Sequence, residues 1–168
     1  MKQTYAILLL LVIVCFVVYG NSLLNDFTYD DKGMMDEEMF SNVHDLNSFL
    51  TMDYYRFSGE MTFRPLVTLT YFSDFIFWYF MPFGFHLTNL LWHVATVIVV
   101  YLLLRRFLKS PLPPLLGAIV FAIHPIQTEA VNSVGFRFLS LCHLASLFLS
   151  GASVERDGRN PSFDFYNV

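Results

Sequence analysis

Phe85-His86-Leu87-Thr88-Asn89-Leu90-Leu91-Trp92-His93-Val94-Ala95-Thr96-Val97-Ile98-Val99-Val100-Tyr101-Leu102-Leu103-Leu104 contains no Asp, Glu, Lys or Arg, and it stops at Arg105-Arg106 with Lys109 close behind. Twenty helical residues at about 1.5 Å each cross a hydrocarbon core of about 30 Å. Basic residues in short loops mark the cytoplasmic side of a membrane. The run therefore leaves the membrane into the cytoplasm at Arg105, and that fixes the parity of everything before it. Lys2 precedes a second uncharged run, Thr4 to Leu24. With Lys2 and the Arg105–Lys109 loop both cytoplasmic, an even number of crossings separates them. The expected spans are then about 4–24 and 85–104, and the aromatic stretch 66–83 does not cross. A cleaved signal peptide is the competing reading of 4–24, with Lys2 as its basic start and Gly20-Asn21-Ser22 as a weak cleavage site. A retained anchor agrees better with a chain whose remainder is also membrane-bound.

The composition excludes an ordinary soluble domain. Hydrophobic residues make up 55% of the 168 and charged residues only 14%, against roughly 45–50% and about 25% in globular proteins. Too little charge remains to clothe a water-facing surface, and the same numbers exclude disorder. Cys15 and Cys142 both sit in apolar runs, which gives neither a disulfide framework nor a zinc spacing. With a net charge of −4, nucleic acid is not an expected partner; the lipid bilayer is.

The mild net charge hides an uneven distribution. Residues 25–84 carry ten acidic and three basic residues, net −7, whereas the 105–110 loop carries three basic residues and no acid. Residues 25–84 are therefore expected to form the outer loop. Within it, residues 66–83 hold Tyr71, Phe72, Phe75, Phe77, Trp78, Tyr79, Phe80 and Phe83, followed by Phe85. They are expected to lie as an amphipathic helix in the interface, with Asp74 turned toward water. Leu112 to Ile123 begins a third span, entered through Pro111, Pro113 and Pro114, where first-turn proline is tolerated. It returns outside at His124-Pro125, and Ile126 to Val134 reads as a short outer helix. A fourth run at 138–150 is short for a crossing, and the turn-rich 151–168 reads as a disordered polar tail. The fold class expected is an all-α polytopic membrane protein. It has three to four transmembrane helices (about 4–24, 85–104, 112–124 and 138–150) in a membrane domain of residues 1–150, plus the interfacial helix.

The remaining polar residues gather on the outer side: Asp30-Asp31, Arg64, His86, Asn89, His124, Gln127, Glu129 and Arg137. Each has a structural reading when taken alone. The acid pair can cap a turn, a histidine at a helix end can serve as a hydrogen-bond partner, and Arg64 can hold lipid phosphates. His93, in mid-span, reads as an interhelical hydrogen-bonding residue. As a set they suit another chemistry. A carboxylate can take a proton from an acceptor hydroxyl while Arg and His neutralise a leaving phosphate. That fits transfer of a sugar from a lipid-linked phosphate donor, with the aromatic helix beside its isoprenoid tail.

Four stretches carry a family resemblance: Phe27-Thr28-Tyr29-Asp30-Asp31; Phe63-Arg64-Pro65-Leu66-Val67-Thr68-Leu69-Thr70-Tyr71; Pro82-Phe83-Gly84-Phe85-His86-Leu87-Thr88-Asn89-Leu90-Leu91-Trp92-His93; and Phe121-Ala122-Ile123-His124-Pro125-Ile126-Gln127-Thr128-Glu129-Ala130-Val131. In this order, over about residues 5–137, the chain resembles the amino-terminal membrane part of the transmembrane and tetratricopeptide-repeat proteins. These belong to the C-type glycosyltransferase superfamily, with the protein O-mannosyltransferases. The resemblance implies a polytopic glycosyltransferase that moves a sugar, mannose among the candidates, from a polyprenyl- or dolichyl-phosphate donor to an acceptor hydroxyl, including one on a protein, at the outer or lumenal face. It implies Asp30 or Asp31 as the catalytic base, with Asp30 favoured. Arg64, His124 and Arg137 are expected at the donor phosphate, supported by His86, Gln127 and Glu129.

No metal ligand is assigned. Carboxylates and phosphate could share Mg²⁺ or Mn²⁺, although Arg64 and His124 could neutralise the phosphate without one. The chain departs from the family at Phe138-Leu139, where an acid is expected after Arg137, and it lacks further spans and repeats. It is therefore expected to be a truncated product. The runner-up is a non-catalytic or degenerate small membrane scaffold. The compartment is a bacterial inner membrane or the endoplasmic reticulum, the short leader and compact loops leaning toward the former.

Overall fold

The computed structural model describes residues 2–27, 31, 65–137, 140, 142, 143, 146 and 147. The first helix, α1 (Lys2–Tyr19), runs into a 3-10 turn over Gly20–Leu24. Then come α2 (Pro65–Trp78), α3 (Pro82–Phe107), α4 (Leu112–Ile123) and the short α5 (Gln127–Asn132). There is no strand among the described residues. Helix is the element a lipid-facing segment can form, because it satisfies every backbone N–H and C=O within itself.

The breaks between helices follow from local chemistry. Pro82 pushes the preceding Met81 into an extended conformation (φ −80°, ψ 111°) and then opens α3, where its missing N–H is no loss. Tyr79 turns the chain at φ 54°, and its N–H still reaches the Phe75 carbonyl at 2.9 Å. Gly84 sits under the Trp78 ring, and a Cβ there would overlap it. At the far end Arg105 Nη1 donates to the carbonyls of Leu108 (2.9 Å) and Lys109 (3.0 Å), which the end of α3 leaves without helical partners. His124, before a proline, is extended (φ −64°, ψ 130°) and ends α4.

α1, α3 and α4 share one core. Ile7, Leu11, Cys15 and Tyr19 recur every fourth residue and bury one stripe of α1. Leu90, Val94, Val97 and Tyr101 from α3 and Ala118 and Ala122 from α4 meet it. Small residues let the helices approach: a Cβ on Gly117 would come within 2.8 Å of Leu104 Cδ1. His93 Nε2 lies 3.2 Å from the Ala122 carbonyl, so the Nε2–H form donates across α3 and α4, the interhelical role expected for it. Pairing of 93 with 122 and of 104 with 117 makes α3 and α4 antiparallel. Tyr19 stacks edge-on against His93 and donates to the His124 carbonyl at 3.4 Å. The end of α1, the first half of α3 and the end of α4 therefore lie together, opposite Arg105, Arg106 and Lys109.

The distribution of side chains is the reverse of a water-soluble protein. Leu9, Ile13, Val17, Leu116 and Val120 are exposed, whereas Asn89, His93, Thr96 and Arg137 are buried. Gln3–Leu24 and Pro82–Phe107 are each long and apolar enough to cross a membrane. The chain is a membrane protein whose described residues form helices and turns alone.

Helix lengths refine the expected spans. α3, with 26 residues, is about 39 Å long, longer than a core of about 30 Å. α2 has 14 residues, about 21 Å, short of a crossing. α4 has 12 residues, about 18 Å, shorter than a full crossing, and His124-Pro125 stops it near the level of His93. The expected fourth span at 138–150 lies largely outside the described residues, and the tail 151–168 entirely so.

Candidate functional site at the polar end of the bundle

Arg137 is fully buried where the segment after α5 meets α2 and α3. Its Nη1 lies 2.6 Å from Asp74 Oδ2 in an ion pair. Nε donates to Asn89 Oδ1 (2.6 Å), Nη1 to Thr70 Oγ1 (3.2 Å) and Nη2 to the Phe85 carbonyl (3.2 Å). The guanidinium also lies over the Tyr71 ring, 5.0 Å from its centroid. A buried charge is tolerable when it is paired and its donors are used, and here all three nitrogens are engaged. The expectation that Arg137 contacts a donor phosphate thus meets a side chain already committed to tying α2 to α3.

Asp74 corrects the sequence reading. It does not turn toward water but is buried, ion-paired to Arg137, with Oδ1 accepting from Thr88 Oγ1 at 2.8 Å. An isolated acid in an aromatic helix at the membrane boundary is better satisfied by an isolated base than by partial hydration. Burial pushes its carboxyl above the usual carboxylate range, while Arg137 and Thr88 act in the opposite sense.

Asp31 reaches the same end from far away in sequence. It is fully buried, and its Oδ1 accepts from the Gly135 N–H (2.9 Å) and the Ser133 hydroxyl (3.2 Å). That receiving turn is itself clamped. Asn89 Nδ2 donates to the Ser133 carbonyl (2.9 Å), the Tyr71 hydroxyl donates to the Val134 carbonyl (2.9 Å), and Arg137 N–H closes back on Val134 (3.1 Å). His86, in the second turn of α3, is fully buried within electrostatic reach of Asp31 and Arg137. Its ring nitrogens make no hydrogen bond of full geometry among the described residues, although the Asp26 backbone lies close enough to act on the ring.

His124 and Gln127 sit elsewhere, in a cleft of about 480 Å³. Gly117, Val120, Phe121 and Ile126 give it apolar walls, and His124, Gln127 and His143 supply its polar groups. His124 is exposed, with Nδ1 accepting from the Ile126 N–H at 3.2 Å, while Gln127 is buried. Glu129 is exposed on α5. The six residues of α5, about 9 Å, join the cleft at Gln127 to the Asp31 turn beginning at Ser133. Asp30 and Arg64 lie outside the described residues. Among the described residues no group of three or more His, Cys, Asp or Glu gathers as a metal site.

Sequence reasoning missed the Asp74–Arg137 pair and the parts of Ser133 and Gly135. A signal for the first was present: Asp74 is the sole charged residue between Pro65 and Leu104, and such a residue needs a partner. Nothing in the residue types of Ser133 and Gly135 marks them as the receptor for an acid a hundred positions earlier.

Against curated proteins, the chain is 30% identical over 149 residues to the protein O-mannosyl-transferase TMTC3 of Mus musculus, covering 84% of this chain and 16% of that protein. It is 31% identical over 136 residues to the protein O-mannosyl-transferase Tmtc1 of Drosophila melanogaster, covering 77% of this chain and 16% of that protein. Against the protein O-mannosyl-transferase TMTC4 of Homo sapiens it is 30% identical over 151 residues, covering 78% and 20%. The chain spans about a sixth to a fifth of the length of these relatives. No protein-family profile matches it, and no solved structure does.

Proposed function

This chain is homologous over most of its length to the TMTC protein O-mannosyl-transferases, and on that premise we propose that it is the outer-face part of a multi-pass membrane glycosyltransferase. It takes a sugar, mannose first, from a polyprenyl- or dolichyl-phosphate donor and passes it to a hydroxyl on a protein acceptor. The relatives come from animals, which favours the endoplasmic reticulum over a bacterial inner membrane, with the outer face lumenal.

The observation that carries this reading is the docking of Asp31 onto the Ser133–Gly135 turn. It brings Asp31 and the segment after α4 to one end of the bundle, opposite the basic loop. In the transfer, a bond forms between the acceptor oxygen and the anomeric carbon as the bond from that carbon to phosphate oxygen breaks. The hydroxyl proton goes to the carboxylate of Asp30 or Asp31, and the electron pair leaves with the lipid phosphate. Arg64 and His124 neutralise that phosphate, and the apolar walls of the cleft beside His124 suit the first units of the lipid tail. A carboxylate is a weak base in bulk water, so the site relies on proximity and desolvation.

The test is transfer of labelled mannose from polyprenyl-phosphate mannose by membranes holding the chain. Asp30→Asn should lower turnover by about 10²-fold if it is the base, and Arg64→Ala should first weaken donor binding. The Arg137 guanidinium is engaged by Asp74, Asn89, Thr70 and the Phe85 carbonyl, and Phe138-Leu139 replaces an expected acid. These two features favour a non-catalytic scaffold as the second reading. No transfer by this chain, together with loss of transfer when the matching Asp is changed in a full-length relative, would decide for it.

A further inference from the structure

The cleft beside His124 changes character along its length. Gly117 and Val120 line it one to two turns before the end of α4 and offer no polar side chain. His124, Gln127 and His143 gather at the other end, with the His143 ring edge-on to Phe121 at 6.1 Å. Gly117 and His124 are about 10 Å apart along the helix. Val120 is exposed in one row with Leu116 and Ile123, so the cleft opens sideways onto the face that α4 turns to lipid.

The polar end consists of hydrogen-bond donors that the fold leaves unused. His124 Nδ1 accepts from the Ile126 N–H, which puts the proton of the neutral ring on Nε2. His143 Nδ1 is buried with no hydrogen-bond partner among the described residues. A buried N–H is rarely left unpaired, an acceptor lone pair more often, so the His143 proton also belongs on Nε2. Gln127 is only 3% exposed, and no hydrogen bond from its side-chain amide is found among the described residues. No Asp or Glu lines the cleft to accept from these groups. Three N–H donors at the end of an apolar groove match a head rich in acceptor oxygens on an apolar chain.

We propose that this cleft binds a lipid with one chain and a phosphate head, which enters sideways from the bilayer. Its phosphoryl oxygens accept from Nε2 of His124 and His143 and from the Gln127 amide, and its chain runs along α4 past Val120 to Gly117. His143 lies outside the sequence stretches that carry the family resemblance, so it is this chain's own addition to the site. That the lipid is a polyprenyl phosphate rests on the glycosyltransferase reading. The site itself does not.

The experiment titrates the full chain in lipid nanodiscs with a polyprenyl phosphate bearing a diazirine on its chain, reading affinity by native mass spectrometry and the photo-adduct by peptide mapping. The adduct should fall on α4 between Gly117 and Ile123. His143→Phe keeps a ring against Phe121 but removes the donor, and Gln127→Leu keeps bulk without the amide. Each should weaken binding about tenfold at an unchanged melting temperature. Val120→Trp fills the groove from the lipid side and should abolish the adduct. Unchanged affinity in His143→Phe, or a polyprenol bound as tightly as its phosphate, would overturn the head-group assignment. An adduct retained on α4 in Val120→Trp, or inorganic phosphate competing as well as the lipid, would overturn the groove. Equal binding of phosphatidylglycerol would overturn the single chain. Binding without mannose transfer would support the site and count against the glycosyltransferase reading, whereas transfer with no lipid bound in the cleft would do the reverse.

Discussion

The two ends of α3 are held by different physics. From Leu90 to Tyr101 the helix meets α1 and α4 through aliphatic side chains and alanines, with His93 as one polar stitch. From Phe85 to Asn89 it meets α2 and the segment after α5 through hydrogen bonds that surround the Asp74–Arg137 ion pair: Thr88 to Asp74, the Phe85 carbonyl and Asn89 to Arg137, and Asn89 to the Ser133 carbonyl. In lipid the apolar surroundings are as greasy as the helix, so the first region is stabilised by close packing and small residues rather than by expulsion of water. The second region is stabilised because its charges have no good alternative to one another. Packing can absorb an imperfect substitution by small shifts. A buried charge network cannot, since removing one member strands the rest.

That contrast can be broken in order of expected effect. Arg137→Met strands Asp74 as a buried carboxylate and should cost about 3–5 kcal/mol in a detergent-unfolding titration. Adding Asp74→Leu should recover much of it, and failure to recover would mean the pair is not the source. Gly84→Leu forces a side chain into the Trp78 ring and should cost about 1–3 kcal/mol, with a blue-shift or broadening of Trp78 emission as the local signature. His93→Leu removes the bond to the Ala122 carbonyl and should cost about 0.6 kcal/mol, the usual worth of a polar contact between membrane helices. A loss as large as that of Arg137→Met would erase the distinction between the two regions.

The helices were legible because lipid reads composition directly: uncharged runs of sufficient length at 4–24 and 85–104 became α1 with its 3-10 turn and α3. Their edges moved for reasons that are also local, Pro82 starting α3 early and His124-Pro125 stopping α4 short. His93 was legible as an interhelical stitch because a lone polar side chain in mid-span has few other fates. Asp74 was misread because amphipathic periodicity says which face is polar but not whether water or another side chain meets it. The partner, Arg137, lies 63 positions later, and sequence spacing carries no information about so distant a contact. The grouping of Asp31, Asn89 and Arg137 was expected from topology. Their division into a buried hydrogen-bonded chain, apart from the cleft holding His124 and Gln127, required coordinates.

On the proposed topology the polar end of the bundle faces the donor side and the basic loop faces the cytoplasm. Single cysteines at Glu129 and Ser110, both exposed, in a chain with Cys15 and Cys142 replaced by Ser, test it with a membrane-impermeant maleimide on vesicles of known sidedness. Position 129 should label from the outer or lumenal side and position 110 only from the cytoplasmic side. Labelling of position 110 from the outer side, with 129 protected there, would invert the bundle, place the Asp31 turn in the cytoplasm, and contradict the account.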